Sequence, residues 1–117
     1  MSIQNDITVD DREELIFLLT EAAEFEHTVM CTYLYAGWTL KREPDAGCTA
    51  EEFEAVERWR ASLRQVALEE MLHLSLVNNL LTALGAAPHL RRPDFPVPQG
   101  RFPSDIVLSL RAFCEAS

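Results

Sequence analysis

The sequence has no Cys-x-x-Cys pair. Its three cysteines, Cys31, Cys48 and Cys114, are odd in number and widely spaced, so free thiols in a reducing cytoplasm are expected. Basic residues are scarce. Ten Lys and Arg stand against 19 Asp and Glu, a net charge of −9, which argues against nucleic acid or an anionic membrane surface as partner. The longest apolar runs are broken by Glu, His or Asn, so no membrane span is expected. Met1-Ser2-Ile3-Gln4-Asn5-Asp6 lacks a basic segment followed by an apolar one, and no signal peptide is expected. There is also no Ser/His/Asp order, glycine-rich phosphate loop or basic aromatic patch.

What remains is an ordinary apolar fraction of 48% and 25% charged residues, enough for one folded domain over residues 1–117. Two long helical patterns dominate it. In the first, Asp10 is the expected N-cap with Glu13 as its capping-box partner. Leu15, Leu19, Ala22, Val29, Tyr33, Ala36 and Leu40 then recur on one stripe, which predicts a helix over about 11–41. A turn follows at Glu43-Pro44-Asp45-Ala46-Gly47-Cys48. Thr49 and Glu52 form a second capping box, and Phe53, Val56, Leu63, Val66, Leu74, Val77, Leu81 and Leu84 predict a helix over about 50–84. Gly85 suits the C′ position, with Pro88 beyond it. The short connector predicts antiparallel packing. Residues 86–103 carry five prolines with Leu90, Phe95, Val97 and Phe102 interspersed, an extended segment that can wrap the hairpin. Ser104-Asp105 reads as the cap of a short helix over about 105–114.

Polar residues inside the two stripes carry the chemistry. Glu70 and His73 form Glu-x-x-His on one face of the second helix, where a charge is costly unless paired or metal-bound. Glu26 alone breaks the first stripe. It lies some 15 positions before the end of helix 1, and Glu70 some 19 after the start of helix 2, so their depths agree to roughly one turn at about 1.5 Å per residue. One Glu plus Glu-x-x-His is half of the di-iron carboxylate set of four-helix bundles. Carboxylates with an imidazole suit iron or manganese. The bland alternative pairs Glu70 with an arginine and lets His73 donate to a backbone carbonyl.

Glu24 and His27 form a competing Glu-x-x-His, but Glu24 lies about 160° from Glu26 around the helix and is expected to be solvated. His27 is expected beside the site as a packing residue, Glu69 off the stripe, and His89 at the surface or in a packing role. Tyr33 and Tyr35 read as core or rim residues. The Asn78-Asn79 pair is unusual in an apolar helix, and one amide is expected to bond the backbone of the wrapping segment or of a partner chain.

The stretch from Phe25 to Ala36, FEHTVMCTYLYA, resembles the first helix of the ferritin-like domain in iminophenyl-pyruvate dimer synthases. So does Glu69 to Gly85, followed by Ala87-Pro88-His89-Leu90, with Phe95-Pro96 and Gly100-Arg101-Phe102-Pro103 behind it. The resemblance covers most of residues 12–113. It implies a ferritin-like four-helix architecture, a metal-binding oxidative role and Glu26, Glu70 and His73 as the matching ligand positions. Relatives that couple imines of aromatic 2-oxo acids imply a small aromatic substrate. Members of that family continue into two further helices, so this sequence is either a piece of a longer chain or one of two copies that pair.

The expectation is therefore an all-α, ferritin-like helical hairpin, half of a four-helix bundle completed by homodimerisation, with a proline-rich C-terminal segment. Its expected function is metal-dependent oxidation or oxygen handling at a di-iron or di-manganese site. The alternative is a non-catalytic helical assembly module whose Glu and His are structural.

Overall fold

In the computed structural model, residues 8–44, 47–97 and 109–111 are described. Among them are two helices, α1 (Arg12–Trp38) and α2 (Ala50–Ala83), and no strand. They form an antiparallel hairpin. Arg12 at the start of α1 donates from Nε to the Leu84 carbonyl just past α2 at 3.0 Å. At the other end Arg60 of α2 donates to the Lys41 carbonyl after α1. Two guanidinium groups thus tie the hairpin at its ends.

The caps explain where the helices begin and stop. The Asp11 side chain, not that of Asp10, caps α1, accepting from the Glu14 N–H at 2.7 Å. Glu14 in turn accepts from the Asp10 N–H at 3.2 Å. The box is therefore shifted by one residue from the expected Asp10 and Glu13. The shift makes Arg12 the first helical residue, the position from which it bonds Leu84. α1 ends at Trp38 rather than near Lys41, because Thr39 donates its hydroxyl to the Ala36 carbonyl and the chain turns Leu40 inward to 5% exposure.

Thr49 caps α2 as expected, accepting from the Glu52 N–H at 3.2 Å. Its end is a Schellman motif: Ala86 N–H bonds Leu81 O at 2.9 Å and Gly85 N–H bonds Thr82 O at 3.0 Å. Gly85 takes φ +81°, which side chains other than glycine's rarely tolerate. A Cβ there would also stand 3.2 Å from the Arg12 guanidinium.

Among the described residues the buried core is thin: Ala23, Thr28, Leu40, Ala67, Leu81 and Val97. Val97, from the proline-rich segment, is the last described residue before position 98 and is fully buried. Phe95 is half-buried with the Arg92 guanidinium 4.8 Å above its ring. Leu90, expected among the covering residues, is instead exposed. Phe102 and most of the expected helix over 105–114 lie outside the described residues, and residues 109–111 carry no helix. Leu68, Leu72, Leu76 and Leu80 lie exposed along α2. Leu19, Val29, Leu63, Val66 and Val77 are half-buried. Among the described residues no helix is long and apolar enough to cross a membrane.

Candidate metal centre

Glu26 sits midway along α1, and Glu70 and His73 sit within α2. Antiparallel pairing brings them to one level. Nδ1 of His73 lies 3.5 Å from Oε2 of Glu26 and 3.8 Å from Oε2 of Glu70. One ligating atom from each of the three falls within 4.8 Å of the others. The two carboxylates are four-fifths buried, while His73 is half exposed. Ligands at about 2.1 Å from one ion stand roughly 3–3.5 Å apart, so this spacing needs only small side-chain adjustments to close on a cation.

The electrostatics point the same way. Oε2 of Glu26 and Oε2 of Glu70 are both buried without a hydrogen-bond partner. A buried acceptor left unpaired costs about 1–3 kcal/mol, and more when charged. Two such atoms aimed at one imidazole form a negative cradle with room for a positive charge. Hard carboxylate oxygens with one imidazole nitrogen suit iron or manganese.

The neighbouring polar residues arrange themselves differently from the sequence expectation. Glu24 is not solvated: its Oε1 lies 2.9 Å from Nε2 of His89, and each side chain is about one-fifth exposed. His89 therefore anchors the segment that follows α2, the packing role of the two expected for it. Its backbone is held as well, because the His89 N–H donates to Oδ1 of Asn78 at 2.6 Å and Asn78 Nδ2 donates to the His89 carbonyl at 3.4 Å. This is the amide contact expected of the Asn78-Asn79 pair. His27 lies half-buried beside the same segment. Burial pushes its imidazole below the ordinary pKa, helped by the positive charge of Arg92 and by His89, while a backbone hydrogen bond at Leu90 opposes the shift. Glu69 is exposed and accepts from Gln65 at 3.3 Å, off the stripe as expected. Tyr33 and Tyr35 are half-buried.

Two antiparallel helices, one offering a Glu and the other Glu-x-x-His, define the first half of a ferritin-like bundle. A family model described as ferritin-like matches residues 19–117, and the chain belongs to the ferritin-like family. Among curated proteins it is 34% identical over 93 residues to 2-imino-3-(indol-3-yl)propanoate dimerase of Chromobacterium violaceum. That match covers 66% of this chain and 9% of the relative, so the chain spans less than a tenth of that protein's length. No solved structure matches the chain. The resemblance carried by residues 25–36 and 69–90 is thereby borne out, as is the all-helical hairpin.

Proposed function

We propose that the chain is a metal-binding, oxidative ferritin-like protein in which Glu26, Glu70 and His73 are half of a di-iron or di-manganese carboxylate site. The observation that carries this is the pair of buried, unpartnered carboxylate oxygens converging on His73. Glu70 and His73, from the same helix, would hold the metal from one side. Glu26 adds charge from the opposite helix. A reduced pair of such ions supplies two electrons to dioxygen.

A second hairpin completes the site in this proposal. Two copies offer four Glu and two His, the full ligand set of a di-metal bundle. The exposed Leu68, Leu72, Leu76 and Leu80 support that pairing, since a face of this kind calls for a cover. A small aromatic substrate is drawn from the relative's name, which specifies an indole-bearing propanoate. The free, half-buried Cys31 and Cys48 support a cytoplasmic setting.

A non-catalytic assembly module uses the same leucine face, so metal content separates the two readings. The test is elemental analysis of chelator-free protein after iron or manganese supplementation. About one ion per chain is expected in the wild type, with loss in Glu70→Ala and His73→Ala. A metal-free wild type rejects the oxidative reading, and full metal in both variants places the site elsewhere.

A further inference from the structure

Three arginines gather at one place in a chain with only ten basic residues and a net charge of −9. Arg42, Arg60 and Arg64 line a cavity of about 260 Å³ together with Tyr33, Gly37 and Trp38. No basic aromatic patch is evident in the linear sequence; the turn back from α1 to α2 creates one. Arg60 and Arg64 stand four apart on α2, a like-charge pair that repels unless an anion sits between them. Arg60 uses its two terminal nitrogens on Glu57 and on the Lys41 carbonyl. Its Nε is buried without a partner.

We infer that this cavity binds a small aromatic carboxylate, the carboxylate held by Arg64 and Arg42, with the charge of Arg60 behind them, and the ring against Tyr33 and Trp38. Guanidinium groups match a carboxylate's two oxygens. Tyrosine and tryptophan supply the broad apolar surface a ring needs. The volume sits just below the roughly 300–1,000 Å³ usual for small-molecule sites, which favours a one-ring acid over a nucleotide. Gly37 leaves room at the wall, because a Cβ there would meet nothing within 4 Å. Tyr33 lies seven residues beyond Glu26 on α1, about 10 Å along the helix axis. The inference deepens the aromatic-substrate part of the proposed function but rests on no metal, so the two fail separately.

The test is calorimetry on the metal-free full chain with phenylacetate as probe. Phenylacetamide keeps the ring and lacks the charge; acetate keeps the charge and lacks the ring; inorganic phosphate is the compact anion. Saturable phenylacetate binding is expected, with each control at least about tenfold weaker. Arg64→Gln and Arg42→Gln each weaken it by about tenfold or more, the scale of a charged hydrogen bond. Both residues are exposed, so both variants are expected to fold, and helical circular dichroism checks this. Gly37→Leu fills the cavity without removing charge and abolishes binding. Arg91→Gln, an exposed arginine elsewhere, leaves binding unchanged. Absence of saturable binding overturns the inference, as does phosphate binding equal to phenylacetate or binding that survives Gly37→Leu.

Discussion

Glu24 and Glu26 offer a controlled comparison, because they lie two residues apart on α1 and their side chains are almost equally exposed, at 21% and 20%. Burial therefore predicts the same outcome for both, and only their partners differ. Glu24 has His89 at 2.9 Å. Oε2 of Glu26 has no hydrogen-bond partner and faces His73 and the Glu70 carboxylate. In metal-free protein, Glu24→Ala removes a formed hydrogen bond to His89 and costs about 1 kcal/mol. For a domain of this size that lowers Tm by about 4–8 °C. Glu26→Ala removes an unsatisfied buried acceptor, so the metal-free protein keeps or gains stability. Metal affinity behaves in the opposite way. Loss of a partner that merely supports a ligand costs 10–100-fold in affinity, so loss of a ligand costs at least that, about 1.4–2.7 kcal/mol or more. Glu24→Ala keeps near wild-type affinity and its oxygen-dependent absorbance changes, and Glu26→Ala loses both. The assays are anaerobic Fe(II) titration against a competing chelator and thermal melts of the metal-free proteins. Equal loss of metal in both variants, or a metal-free Glu26→Ala as destabilised as Glu24→Ala, refutes the assignment of helix faces.

Three further outcomes follow from the same contacts. Asn78→Ala leaves the His89 N–H without its 2.6 Å acceptor, costs about 1–3 kcal/mol and speeds amide exchange at His89, whereas Asn78→Asp retains most of the protection because the acceptor oxygen survives. For His27, the folded-state pKa lies below the ordinary 6.5, so the unfolded chain takes up the proton first as pH falls. The stability of metal-free protein is then highest above about 6.5 and declines as pH drops below it toward the folded value; His27→Gln, followed by urea melts across pH 5–8, should flatten that slope. Leu72→Lys and Leu76→Lys place charges on the exposed α2 face and should give a monomer by light scattering, against the dimer expected of the wild type, with metal affinity falling alongside; a wild type that is monomeric and well folded at micromolar concentration rejects the pairing.

Most of the hairpin was legible in the sequence because its signals are local. Thr49 with Glu52 and Gly85 with Pro88 act through residues within one turn, and both mark the observed ends of α2. The C-terminus of α1 was less legible. The apolar stripe runs on to Leu40, but that side chain is buried by a turn rather than by another helical step. Glu26, Glu70 and His73 were legible by counting depth along two rods of known rise, because helix geometry alone sets the level at which each residue stands. The Glu24 to His89 contact spans 65 residues and joins a helix to a segment with no period, so no pattern announced it. The arginine cavity was not legible: Arg60 and Arg64 share a helix face, but only the chain reversal brings Arg42 and the α1 aromatics to them.

The unequal exposure of the three proposed ligands says something about how such a site is built. Ala67 and Leu81 mark the α2 face buried against the hairpin, and Leu72, Leu76 and Leu80 mark the face left open. Glu70 belongs to the first and is 17% exposed, whereas His73, three residues on, stands near the border at 49%. A hairpin sufficient to itself would have little reason to set an imidazole between a buried carboxylate pair and an exposed leucine face. A half-bundle has one, because in the proposed assembly the partner copy's ligands would approach from the open side. Metal binding and pairing then share one surface, and each strengthens the other through mass action. The two buried carboxylate oxygens also acquire a role in this scheme. Left without donors they repel one another in the single hairpin, and a cation held between two copies relieves both at once.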